Sequence, residues 1–343
     1  MSEELANNRK KEHIRIIQQD KDVDRKRFYF DDLRLTHRAL PELDLNSIDT
    51  SIELFGKTLS FPLLISSMTG GDDDMLRTIN RNLAIAAEAC QVAMGVGSQR
   101  VMFKYPEAED SFNLRKYAPT APLFSNLGAV QLNYGYGLAE CQQCVDILGA
   151  DGLFFHLNPL QEAIQPEGNT NFSGLADKIG DIATRLSVPV IVKEVGTGMS
   201  ADDARELADR GIRYIDVAGS GGTSWSRIEH HRSIESGGTD LGILFQDWGI
   251  PTPIALIKLA PLRDRLTLFG SGGIRNGVDM AKAMILGASL CGLAKPFLAP
   301  AMQSPEAVIS VIKRLHQEFR TAMFLLGIGK ASIMIGNTNL LSD

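Results

Sequence analysis

Along the middle of the chain one pattern repeats. A short apolar, often β-branched run ends in small or polar residues, and a stretch with helical periodicity follows. The runs are "FPLLISSMTGG" from Phe61, "VAMGVGSQR" from Val92, "PLFSNLGA" from Pro122 and "GLFFHLN" from Gly152. "VPVIVKEVG" from Val188, "YIDVAGSGG" from Tyr214, "LTLFGSGGI" from Leu266 and "SLCGLAKPFL" from Ser289 continue the series. Runs apolar at consecutive positions read as strands covered on both faces, as parallel strands under helices are. Between the first two runs, Leu76, Ile79, Leu83, Ala86, Ala87 and Cys90 fall on one helical stripe. The "DDDM" before that stripe offers carboxylates to a helix N-terminus, and "ADDARELADRG" runs from an acidic start to a glycine stop.

Eight such units over roughly 240 residues predict an α/β fold, a TIM (β/α)8 barrel. A doubly wound sheet is the rival, but it rarely needs eight evenly built units. The expected organisation is a single domain: an N-terminal arm and extension over 1–60, the barrel over 61–300 and a C-terminal helical tail over 301–343. The arm carries "RKKEHIRI" and "RKRFYFDDLRL", and the segment "SWSRIEHHRSIESGGTDLGILFQDWGIPT" after the sixth run is long enough to be a lid or an interface.

Composition narrows the class. The 343 residues are 44% apolar and 22% charged with a net charge of -6, so no global field points to nucleic acid or an anionic membrane. No apolar run reaches the ~20 residues of a membrane span, and no secretory signal is visible. Cys141 and Cys144 form a CxxC inside a helical pattern, with no second pair to complete a zinc site. Ordinary reduced thiols, and a cytoplasmic address, are expected.

Barrel chemistry sits at the carboxyl ends of the strands. Two glycine turns, "GSGGIRNG" and "CGLAKP", follow the last two runs, where barrels often hold a phosphate. Gly272, Gly273, Ile274, Leu293 and Ala294 are assigned to that pocket; tight turns without a ligand are the alternative. FMN suits it, and polar groups for a flavin ring stand at other strand ends: Ser67, Met68, Thr69, Ser98, Asn126, Lys193 and Thr223. Lys193 leaves a buried strand toward the barrel mouth, where its ammonium needs a partner, either an anionic flavin edge or Glu194. At the fourth strand end, "HLNPLQE" brings His156, Asn158, Gln161 and Glu162 within seven positions.

In this order, "SSMTGG", "GVGSQR", "SNLGA", "HLNPLQE", "VKEVGTGMS", "GGTSW" and "SGGIR", with the N-terminal "RKKEH", resemble type 2 isopentenyl diphosphate isomerase. The resemblance covers nearly the whole chain. "HLNPLQE" with "RKKEH" is its specific part, whereas many FMN barrels share "SGGIR". It implies an FMN- and Mg²⁺-dependent enzyme of isoprenoid biosynthesis that interconverts isopentenyl and dimethylallyl diphosphate, with FMN reduced by NADPH or NADH. The substrate contacts it implies are Arg9, Lys10, Ser98, Arg100, His156, Asn158 and Gln161. Glu162 would hold Mg²⁺, since a carboxylate beside a diphosphate needs a hard cation between them. Where the family often has a serine, this chain has Ala218, so that contact is absent or made by backbone.

The strand ends offer few acids for moving the two non-acidic protons. Glu194 should point away from the barrel interior, and Asp216 reads as structural. That shortage agrees with reduced FMN as the acid–base catalyst, with Lys193, Gln161 and His156 beside it. The resemblance also suggests a homotetramer or homo-octamer. Trp225 could cover the site or fill the rim, and His230 and His231 are expected to be solvated. An FMN-dependent 2-hydroxy acid oxidase needs a histidine after the sixth or seventh strand, which "AGSGGTSW" and "GSGGIRNG" lack. An inosinate-dehydrogenase type needs a cysteine between Cys144 and Cys291, where none stands. A non-enzymatic phosphate- or flavin-binding barrel would leave the "HLNPLQE" set without a use.

Overall fold

The structure is a computed structural model. It describes residues 4–342 except 26, 28 and 235–237, with side chains from Lys10 onward. A short antiparallel hairpin of β1 (Ile52–Leu54) and β2 (Lys57–Leu59) precedes eight parallel strands. These are β3 (Leu63–Ile65), β4 (Ala93–Gly95), β5 (Leu123–Gly128), β6 (Gly152–His156), β7 (Val190–Lys193), β8 (Tyr214–Asp216), β9 (Thr267–Ser271) and β10 (Ala288–Leu293). They close into a barrel in chain order, β10 pairing back onto β3. Each expected run supplies one strand, and closure excludes the open doubly wound sheet.

The strands pack because they are apolar on both faces. Phe124, Phe154, Phe155 and Phe269 are fully buried, and Phe124 meets Phe154 edge-on at 5.2 Å. Each such ring stabilises the fold by roughly 1.5–3 kcal/mol relative to exposure. At the amino end, Phe55 in the hairpin turn sets its ring against Phe124 and Tyr214, so the hairpin closes that end of the barrel.

Among the described residues, the helices are α1 (Glu4–Gln19), α2 (Asp74–Cys90), α3 (Leu138–Leu148), α4 (Pro159–Ile164), α5 (Leu175–Arg185) and α6 (Ala201–Asp209). Then come α7 (Trp225–Ile234), α8 (Leu241–Leu244), α9 (Thr252–Leu259), α10 (Gly277–Ile285), α11 (Lys295–Ala301) and α12 (Pro305–Leu326). The stripe expected for α2 is buried from Leu76 to Ala87, with Cys90 at its end half-buried, and the Asp73 side chain caps the helix by accepting from the Met75 N–H. Cys141 and Cys144 are buried free thiols on α3; burial pushes Cys141 up to about 12 and Cys144 higher.

The basic arm forms α1, whose His13, Ile14 and Ile16 are buried against the rest of the chain. The long segment after β8 is folded too, into α7 and α8. His231 is not simply solvated, because its Nε2 lies 2.7 Å from an Asp20 carboxylate oxygen, and the His230 ring is mostly buried. No described helix is long and apolar enough to cross a membrane.

Candidate active site

Register brings the site together. Gly128 at the end of β5 pairs with His156, His156 with Lys193, and Lys193 with Asp216. Adjacent strands lie about 4.8 Å apart, so the imidazole and the ammonium leave neighbouring strand ends side by side. Gly128 leaves room for the ring: a Cβ there would meet His156 Nε2 at 3.1 Å. The Asn126 amide donates through Nδ2 to the Val96 carbonyl at 3.1 Å, which turns its Oδ1 toward His156 Nδ1 at 2.7 Å. An acceptor at that distance makes Nδ1 the proton-bearing nitrogen, so Nε2 carries a proton only in the charged ring.

One cavity opens over these ends and runs across to the glycine turns that follow β9 and β10. Ser67, Met68, Thr69, Ser98 and Arg100 line it from β3 and β4, and Asn126, His156 and Lys193 from β5 to β7. Asn158, Gln161 and Glu162 line it from α4. Thr223 from β8, Gly272 and Gly273 from β9, Leu293 and Ala294 from β10, and Lys10 from α1 complete the expected set. Ile274 is the exception; its side chain is buried in the core and does not line the cavity. Arg9 lies outside the residues whose side chains are described.

Local bonding settles two open readings. Lys193 Nζ donates to the backbone carbonyl of Glu194 at 2.6 Å. The Glu194 carboxylate is instead filled by the backbone N–H groups of residues 195–198 and by Thr197 Oγ1. Glu194 therefore ties its own loop and faces away from the cavity. Asp216, fully buried with its carboxyl raised by burial, accepts from Ser271 Oγ at 2.7 Å and lies beneath the site.

The roof comes from α1 and α7. Trp225 lines the cavity and meets the His13 ring edge-on at 5.1 Å, so it covers the site. Glu229, fully buried, joins three elements: His13 of α1 at 3.1 Å, Gln161 of α4 at 2.8 Å and Arg232 of α7 at 2.5 Å. Burial alone would push its carboxyl up, but the hydrogen bond and charge of His13, with Arg232 and Gln161, bring it down to about 2.

Several known proteins share this plan. The FMN-dependent dehydrogenase family model matches residues 14–102 and 163–337. Isopentenyl-diphosphate delta-isomerase of Hydrogenovibrio crunogenus is 53% identical over 99% of each chain. That of Paracoccus zeaxanthinifaciens is 55% identical over 97% of this chain and 96% of its own. The chain belongs to the isopentenyl-diphosphate delta-isomerase family. Among solved structures, a mandelate oxidase mutant with a monooxide FMN adduct superposes with a TM-score of 0.63 at 18% identity, covering 92% of this chain and 89% of its own. A flavocytochrome b2 double mutant with sulfite bound gives 0.66 at 19% identity, covering 91% of this chain and 76% of its own. At that identity the likeness is one of fold.

The family's FMN can be tested against the residues present. Ser67 Oγ and Thr69 Oγ1 are buried without a hydrogen-bond partner, a cost of roughly 1–3 kcal/mol each that a bound polar ligand would relieve. Gly272 and Gly273 have φ of +92° and +80°, and a Cβ at Gly272 would lie 2.1 Å from the Gly219 carbonyl oxygen. Only glycine gives this cradle its approach. The residues fit a phosphorylated, polar-edged cofactor.

Sequence reasoning passed over the cations of this cradle. Arg275 and Lys295 line the cavity and share the Asp24 carboxylate, Lys295 at 2.9 Å. Both stand inside the quoted glycine turns, and a basic residue directly after such a turn was the available signal. Asp24 had none, because its partners lie more than 250 positions away. Glu229 was passed over for a like reason, its partner His13 lying 216 positions away, whereas Gln165 and Asn169 stand three and seven positions from Glu162 and carry no signal of their own.

Proposed function

We propose that the chain is an isopentenyl-diphosphate delta-isomerase that interconverts isopentenyl and dimethylallyl diphosphate in isoprenoid biosynthesis, with FMN, Mg²⁺ and a reductant, NADPH or NADH. The observation that carries the reading is one cavity joining the glycine cradle of β9 and β10 to the His156–Glu162 cluster. The chain that carries it matches relatives of this name along almost its full length.

When bound, reduced FMN supplies the acid–base chemistry that the strand ends lack. Gly272, Gly273, Arg275 and Lys295 hold its phosphate, and Ser67, Thr69 and Lys193 its polar edge. Lys193 balances negative charge on the reduced ring. His156, Arg100 and Lys10, with Arg9, hold the diphosphate. Glu162 holds Mg²⁺; among the described residues no cluster of three His, Cys, Asp or Glu side chains could cage a metal alone, so ligand oxygens complete the shell. Gln161, fixed by Glu229 and Asn158, orients the hydrocarbon end. The α1–α7 roof excludes water from the reacting carbons.

The free thiols support a reducing, cytoplasmic setting. Exposed Leu241, Leu244, Trp248, Ile254 and Ile257 support self-association, and the family resemblance suggests a homotetramer or homo-octamer. An anaerobic isomerase assay with FMN, Mg²⁺ and reductant each left out in turn tests the reading. Turnover should need all three, and purified protein should be yellow and bleach on reduction. A colourless protein without affinity for FMN defeats the proposal. Full activity with 5-deazaflavin in place of FMN would defeat the acid–base role alone.

A further inference from the structure

Three donors surround the Glu162 carboxylate. Oε2 accepts from Gln165 Nε2 and from the Asn169 backbone N–H, both at 2.5 Å, and Oε1 accepts from Asn158 Nδ2 at 2.9 Å. A carboxylate oxygen offers about two lone-pair sites. Those of Oε2 are taken, while Oε1 keeps one open.

The same bonds orient the two amides. Each gives its nitrogen to the carboxylate, because an amide oxygen so close would set acceptor against acceptor. Their oxygens therefore point away from it. Gln165 Oε1 and Asn158 Oδ1 are both buried without a hydrogen-bond partner, and both residues line the cavity. Asn158 also spends its second N–H on Gln161 Oε1, at 3.1 Å. Nothing in its side chain remains to donate to a phosphate oxygen. An anion set directly against two bare amide oxygens and a carboxylate would be repelled, so what faces them must bring positive charge or donated protons.

A hydrated hard cation brings both. Mg²⁺ dehydrates reluctantly and keeps several waters, whose protons need acceptors. We propose that Gln165, with Asn158, is an outer ligand of the divalent cation: their amide oxygens accept from its bound waters, and the cation takes Glu162 through Oε1 alone. The diphosphate then meets Asn158 only through the cation and its water. This rests on the reading of Glu162 as the metal ligand.

The probe is Mn²⁺, titrated into the FMN-loaded enzyme with inorganic pyrophosphate present, free Mn²⁺ being read by electron paramagnetic resonance. Flavin absorbance checks that each variant is folded. Outer-shell partners typically contribute 10–100-fold to metal affinity. Gln165→Met, of similar size but without hydrogen-bonding groups, should weaken Mn²⁺ binding by about that factor. Gln165→Glu keeps an acceptor facing the cation but loses the N–H given to Glu162, so it should weaken Mn²⁺ binding less than Gln165→Met does. If Gln165→Met binds like wild type while Glu162→Gln does not, the outer-shell role is wrong and the metal ligand stands. Should Gln165→Met and Gln165→Glu weaken binding equally, Gln165 only props Glu162 and the proposal fails. Wild-type affinity in Glu162→Gln overturns the metal ligand itself. Asn158→Asp, read by the same sign, replaces Gln165→Glu if that variant does not load FMN.

Discussion

Replacing Glu229 by glutamine removes one buried charge and almost no volume. In the native protein that carboxylate is sealed from solvent and hydrogen-bonded by His13, Gln161 and Arg232. Burial opposes the charge, yet these partners bring its pKa from 4.5 down to about 2. At about 1.36 kcal/mol per pH unit, that gap contributes roughly 3 kcal/mol to stability at neutral pH. The folded value is depressed, so the contribution is present above the unfolded pKa and is lost as pH falls toward 2. At pH 3 roughly 1.4 kcal/mol remains. Unfolding entropy near ~2.1 cal/mol/K per residue, over 343 residues, gives ~0.7 kcal/mol per degree. Thermal unfolding at fixed FMN should therefore place Glu229→Gln about 5 °C below wild type at pH 7 and about 2 °C below at pH 3. Equal melting temperatures at pH 7, or a gap constant between pH 7 and pH 3, would refute the reasoning.

Three further outcomes follow from single contacts. Gly272→Ala forces a methyl against the Gly219 carbonyl at a φ of +92°, so the protein should purify without FMN and lose at least ~1 kcal/mol of stability; yellow protein of native stability would contradict this. Lys193→Met should lower the two-electron potential of bound FMN, by ~20–40 mV if the ammonium stabilises the reduced ring by ~1–2 kcal/mol. An unchanged potential in a reductive titration places Lys193 away from the flavin. Burial pushes Cys141 up to about 12 and Cys144 and Cys291 higher still, so at pH 8 a thiol reagent should label Cys90 alone until the protein is denatured.

How much of this was legible beforehand depends on where each interaction partner lies in the chain. The eight strands could be read directly, because a strand buried on both faces must be apolar at consecutive positions, whatever its neighbours are. The carboxyl-end cluster followed from the same pattern, since most polar residues that end such a strand reach the mouth, although Glu194 and Asp216 turn away from it. "HLNPLQE" is local, and its four groups do reach one cavity. Even the glycine cradle is local, since a left-handed backbone is a property of the residue that adopts it.

Other features depended on pairs distant in sequence. The arm's seat on the barrel could not be read from its own residues, because α1 packs His13 against Glu229, 216 positions away. The two histidines of α7 looked exposed until Asp20 arrived beside one of them. Lys193 had two possible partners by chemistry, and only the loop geometry that wraps Glu194 in backbone N–H groups excluded the carboxylate. The sharpest case is Asn158. Its amide suits a phosphate donor in sequence, yet both N–H groups are spent on Glu162 and Gln161, leaving an acceptor. Composition and periodicity determine which surfaces must be buried and which chain segments become strands. Which end of an amide faces a ligand is decided by the hydrogen bonds of the folded chain, and those exist only once the barrel has closed.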